Sequence, residues 1–133
     1  MGYAGLERRK LTRLSIPLRV EFCLVPISPG EVRSEGVVGR IRDVSAKGLC
    51  IETNTVIMGR VHVLSEAMGE ENRLRLAIEV PDEENPLEAH GKVIWYDLAP
   101  EGSDYRFRAG VLFMQMGEAV KKRWQSYLSG LRK

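Results

Sequence analysis

The chain has 133 residues, 44% of them hydrophobic and 29% charged, with a formal net charge of +2; this is the composition of one globular domain able to bury its own core, and it excludes a fibrous repeat or a disordered chain. No stretch approaches ~18 uninterrupted apolar residues, which excludes a membrane-spanning helix and membrane insertion through one. Charges at Glu7 to Lys10 arrive before any apolar run, so no signal-peptide core is present and a cytoplasmic protein is expected.

Residues 1–14 combine Gly2 and Gly5 with a charged cluster and too little apolar periodicity to enter a core, and are expected to form a mobile arm. Residues 15–133 are expected to form the folded domain. From Ser15 to Pro26, Ile16, Leu18, Val20, Phe22 and Leu24 alternate with Pro17, Arg19, Glu21 and Cys23, which predicts a half-buried strand with its even positions inward. Pro17 belongs near an edge or a strand start, where no ladder hydrogen bond is lost. Ile27 to Glu35 reads as a loop, Gly36 to Val44 as a second strand and Gly48 to Thr53 as a third.

Thr55 to Asn72 is ambiguous: Val61 to Leu64 suits a short strand, while Leu64 to Met68 suits a helical turn ending at Gly69. Arg73 to Pro81 alternates clearly and is closed by the acidic turn Asp82 to Pro86. Leu87 to Leu98 places Leu87, Ala89, Gly91, Val93 and Trp95 on one face, and Tyr105 to Gln115 places Phe107, Ala109, Val111 and Phe113 inward. From Gly117 to Leu131 the period changes: Val120, Trp124, Leu128 and Leu131 form one helical face, expected to close an end of the barrel. Six consecutive strands with short turns and one terminal helix predict a mainly β fold, a six-stranded antiparallel barrel with a C-terminal α-helix.

Charge is polarised along this order. Residues 1–20 and 117–133 each carry five basic side chains and one acidic, whereas Glu66 to Glu88 holds eight acidic residues against Arg73 and Arg75. Anionic ligands are therefore expected at the ends of the chain.

The stretch with the most chemistry is Arg40 to Cys50, two apolar strand ends joined by a tight polar corner. Asp43 offers a carboxylate, Ser45 a hydroxyl, and Gly48 a backbone that a flat ligand can approach without meeting a Cβ. Such a corner is equally the ordinary chemistry of a hairpin. Upstream, Arg9 and Arg13 stand four apart in Glu7-Arg8-Arg9-Lys10-Leu11-Thr12-Arg13. This Arg-x-x-x-Arg, followed one strand pair later by Asp-x-Ser-x-x-Gly, resembles the PilZ domain, the bacterial receptor module for cyclic diguanylate (c-di-GMP). The likeness extends from Glu7 to Leu131; the stretch 55–72 is longer than the usual link.

The resemblance implies a PilZ-like split barrel, no cofactor and no bound metal, with c-di-GMP as ligand. Arg9 and Arg13 would clamp guanine and phosphate from the arm, and Asp43, Ser45 and Gly48 would receive the ligand on the barrel surface. Arginine suits the first task because its planar fork donates two parallel hydrogen bonds. Arg8 would reach a second, stacked ligand molecule. Binding would order the arm and alter contact with an unidentified downstream protein.

Two other readings use the same residues: a PilZ-like protein adaptor without nucleotide, and a general nucleic-acid-binding barrel with Tyr96, Tyr105 and Phe107 as stacking residues. Those aromatics read more simply as barrel wall, and no specific DNA or RNA partner is expected. An enzyme is not expected, because His62 and His90 stand at no metal or nucleophile spacing and no phosphate-cradling glycine loop is present. Cys23 and Cys50 sit in apolar runs and read as buried, reduced thiols. Exposed apolar residues on the terminal helix would allow a homodimer.

Overall fold

The computed structural model describes residues 14–131, with only the backbone path for residues 14–17 and Leu131. Among the described residues, eight strands and two helices follow in order. They are β1 (Leu14–Pro26), β2 (Val37–Val44), β3 (Gly48–Thr53), β4 (Ile57–Met58), β5 (Val61–His62), α1 (Val63–Met68), β6 (Asn72–Ile78), β7 (Leu87–Leu98), β8 (Phe107–Phe113) and α2 (Glu118–Leu131). Six strands close into a barrel in the order β1-β2-β3-β8-β7-β6, every neighbour antiparallel. This is the expected six-stranded barrel with its terminal helix.

Period-2 alternation explains the interior. Leu18, Val20, Phe22 and Leu24 of β1 meet Ile41, Leu49, Ile51, Leu74, Leu76, Ile78, Leu87, Ala89, Val93, Ala109 and Val111 in one buried cluster. Closure leaves the six strands without a free edge. Pro17 falls where β1 shifts register against β2, between Ser15 and Leu18, and before β6 begins to pair at Val20, so its missing N–H removes no ladder bond.

The ambiguous stretch 55–72 contains both candidates in succession. A two-residue hairpin pairs Ile57 with His62 and Met58 with Val61, and α1 starts at the next residue. His62 caps that helix, its Nδ1 accepting from the Ser65 N–H at 3.1 Å. Val63, Leu64 and Ala67 are fully buried against the barrel, so a helix too short to stand alone is held by packing. Lys92 of β7 ties down the exit from α1 by donating to the carbonyls of Gly69 and Asn72.

Helix α2 buries Trp124 and Leu128 in the same cluster, with the edge of Phe113 against the Trp124 ring at 5.5 Å. Cys23 and Cys50 are free and buried, as expected. Burial raises both thiols, Cys50 to about 11, where the Asp43 carboxylate adds to the effect. An aromatic disulfide reagent at pH 8 should therefore label neither thiol in the folded protein and both in denaturant; rapid native labelling would contradict this burial.

One inward position is corrected. The alternation of β7 places Trp95 beside Val93, but Val93 pairs with Val111 and Trp95 with Gly110, so Ile94 is an extra residue that turns Trp95 outward. Trp95 is 40% exposed. A bulge of this kind leaves no trace in the hydrophobic pattern until strands are paired.

Candidate ligand-binding site

The corner between β2 and β3 closes through its own side chains. The Ser45 N–H donates to the Gly48 carbonyl at 2.9 Å, the Ser45 hydroxyl accepts from the Lys47 N–H at 3.3 Å, and the Lys47 carbonyl accepts from Phe113 N–H at 2.8 Å. Ser45 thus builds the turn, and the third of these bonds fixes the turn to β8. Gly48 is required by close approach: a Cβ there would stand 2.1 Å from the Val111 carbonyl oxygen.

A second bulge stands just ahead of this corner. Ile41 pairs with Ile51 and Asp43 with Cys50, so Arg42 is the extra residue of β2. Asp43 thereby lies on the outer surface rather than in the core, 8% exposed, with Arg42 Nη1 donating to its Oδ2 at 3.1 Å. Asp43, Ser45, Gly48 and Cys50 line a cavity of about 70 Å³ whose far wall is Trp95 and Gly110. The indole sits so close over Gly110 that a Cβ there would meet Trp95 Nε1 at 2.1 Å. That volume holds roughly two waters at ~30 Å³ each. Anything larger must lie across the outer surface, over the corner and the Trp95 ring.

The start of β1 runs beside this corner. Leu14 pairs with Val44 and Ser15 with Asp43. Arg8, Arg9 and Arg13 lie outside the described residues. Of the sequence-predicted site, the structure brings Asp43, Ser45 and Gly48 together and adds Trp95, which periodicity had assigned to the core.

Below the corner lies a buried charge. Glu52 of β3, 2% exposed, takes the Arg40 Nη2 on one oxygen and the Arg108 Nε on the other, each at 2.8 Å. Arg40 also covers the Tyr105 ring at 4.7 Å. Burial opposes ionisation of Glu52, but the two guanidinium hydrogen bonds outweigh it and hold its carboxyl below the ordinary value of 4.5. The stability this carboxylate contributes is complete above that value and is lost as pH falls through the lower folded value. The difference in unfolding free energy between the parent and Glu52→Gln, from denaturant titrations, should accordingly narrow between pH 5 and pH 3, by about 1 kcal/mol or more. A gap independent of pH would show that the ion pairs do not carry it.

Among the described residues, no group of His, Cys, Asp and Glu could hold a metal ion, and no helix is long and apolar enough to cross a membrane.

The sequence matches the PilZ domain family over residues 7–130. The chain belongs to the PilZ family. No curated protein matches it in sequence. Among solved structures, this PilZ chain is similar to the Bacillus subtilis inhibitor of motility, MotI/DgrA (TM-score 0.63, 18% identity), over 95% of its own length and 52% of that chain. It is also similar to the PilZ domain of Escherichia coli YcgR with c-di-GMP (TM-score 0.57, 19% identity, 94% and 92% covered). A third likeness is to the PilZ domain of CeSA from a cellulose-synthesizing bacterium (TM-score 0.55, 13% identity, 92% and 99% covered). The chain thus spans about half of the motility inhibitor and nearly the whole of the two isolated PilZ domains, and at these identities the likeness is one of fold.

Proposed function

We infer that this PilZ domain is a c-di-GMP receptor that holds its ligand between the Arg9–Arg13 segment and the Asp43-Ser45-Gly48 corner, with Arg8 toward a second, stacked molecule. The observation that carries the reading is the register of β1. Leu14 is paired to Val44 at the corner itself, and Arg13 precedes it by one peptide, ~3.8 Å between Cα atoms. Arg9 is four residues farther, within ~14 Å of fully extended chain. The chain therefore enters the described fold beside an outward-facing carboxylate, a hydroxyl and a partly exposed indole, which supports setting the Arg9–Arg13 segment against this corner.

Each group has a task. Arginine forks donate to phosphate or to the guanine O6/N7 edge, and the Asp43 carboxylate accepts from guanine N1–H and N2–H. Trp95 offers a π-face to a purine. Ligand bridging the arm to the barrel converts binding into a change of shape at the barrel mouth, which a downstream protein reads. The YcgR PilZ domain, solved with c-di-GMP, supports the ligand class.

Titration calorimetry with c-di-GMP, against linear and cyclic adenylate controls, tests the reading. Saturable binding of the cyclic guanylate alone is expected, with two ligands per chain; one per chain would remove the stacked pair, and no binding would remove the receptor. Trp95→Ala should weaken binding by about 1–3 kcal/mol, the range for a base stacked on an aromatic ring, measured well below the variant's own Tm so that lost packing on Gly110 does not enter. An unaltered Kd would take Trp95 out of the site. The motility inhibitor among the similar structures favours a second reading, an adaptor acting through a protein partner. Capture of a partner by a chain that calorimetry shows to be nucleotide-blind would support it.

A further inference from the structure

The outer face of the barrel carries two parallel rows of side chains across the same four strands. The pairings Asp43 with Cys50, Cys50 with Gly110 and Gly110 with Trp95 make the corner row. The pairings Arg40 with Glu52, Glu52 with Arg108 and Arg108 with Asp97 make its neighbour, about 7 Å away along strands that rise ~3.4 Å per residue. Arg42, the bulge residue, stands between them. Here Arg40, Arg42, Glu52, Asp104 and Arg108 line an open cavity of about 390 Å³.

Three guanidiniums face two carboxylates in that cavity, and they are not equally occupied. Each Glu52 oxygen accepts from one guanidinium, so the Arg40–Glu52–Arg108 cluster keeps one net positive charge. Arg40 is further engaged by Asp104 at 3.8 Å. Arg108 spends only its Nε on Glu52, and Arg42 only its Nη1 on Asp43. Among the described residues, the Nη groups of Arg108 and the Nε and Nη2 of Arg42 have no hydrogen-bond acceptor. Glu52 thus holds Arg108 by its Nε edge, and among the described residues its two Nη groups keep their donors uncommitted at the cavity wall, a preorganised pair of the kind that binds phosphate.

We propose that Arg42 and Arg108 form an anion subsite, with Arg108 held in place by Glu52, that takes one phosphate of the cyclic dinucleotide. This rests on the receptor reading and deepens it. A ligand of two nucleotides lying on the corner row reaches the neighbouring row without leaving the surface. The subsite selects for a ligand with two phosphates over a single guanosine phosphate, which the corner and arm alone would accept.

The test uses the full chain and c-di-GMP, by calorimetry and by 31P NMR at saturation. The free ligand is symmetric and gives one phosphorus line; bound to the parent, the molecule lying on the corner should give two, apart from any lines of a second, stacked molecule. Arg42→Ala, and the paired Glu52→Gln/Arg108→Gln that removes cation and anion together, should each raise Kd about tenfold and displace one of the two lines. Should the paired variant fail to fold, Arg42→Ala decides alone, since that side chain is half exposed. Affinities within twofold of the parent with both lines unmoved, while Asp43→Ala loses binding, would overturn the subsite and leave the receptor intact. A parent that binds no c-di-GMP overturns both.

Discussion

Arg13→Ala and Asp43→Ala should each lose at least about 1.5–3 kcal/mol of c-di-GMP affinity, about ten- to a hundredfold in Kd, the range for hydrogen bonds to charged groups. Both effects are expected to be large because in the proposed site the two residues would grip the ligand from opposite sides and neither would substitute for the other. Removing Arg13 deletes the arginine of the proposed site that directly precedes the Leu14–Val44 pair. Removing Asp43 deletes the outward carboxylate that the β2 bulge sets beside Trp95. Calorimetry on the two variants and on their combination checks this. An unchanged Kd in Arg13→Ala would show that the arm does not contact the ligand, and the site would have to be drawn on the barrel alone. If the ligand bridges the two segments as proposed, the double variant should bind no more weakly than the worse single one by much; full additivity would mean independent contacts rather than a bridge.

Gly48→Ala should destabilise the fold by about 3 kcal/mol or more, the upper range for overpacking, lowering Tm by roughly 10 °C in a domain of this size. The new methyl would stand 2.1 Å from the Val111 carbonyl oxygen, and that oxygen belongs to the backbone of β8, with no side-chain rotamer to yield. Relief must come from parting β3 and β8, which are paired from Gly48–Leu112 to Thr53–Phe107. The corner moves with them, so ligand affinity should fall too. Thermal melts with calorimetry below the midpoint separate the effects: a variant as stable as the parent that had merely lost binding would place the need for glycine at the ligand instead of at β8.

The position of Gly48 shows how far the sequence reaches. Asp43, Ser45 and Gly48 are legible as a turn and, with Arg9 and Arg13 upstream, as a ligand motif, because spacing in one dimension is enough to mark them. Which atoms each serves is another matter. Ser45 is engaged in the turn's own hydrogen bonds and Gly48 is crowded by a strand sixty residues later, contacts that no local pattern encodes.

What the sequence by itself determined is therefore the set of elements: strands wherever apolar residues alternate, a helix where Val120, Trp124 and Leu128 recur with the helical period, buried thiols within apolar runs. These are periodicities of a single chain segment and need no partner to be seen. Tertiary structure alone decided the outer face. Bulges at Arg42 and Ile94 turned Asp43 and Trp95 toward the same surface. Pairing across β2, β3 and β8 buried Glu52 between Arg40 and Arg108, residues 12 and 56 positions away. The helix α1 exists because the barrel buries Val63, Leu64 and Ala67. The reason is the same each time: a register shift or a buried charge is an agreement between strands distant in sequence, and it acquires an energy only when they are hydrogen-bonded side by side.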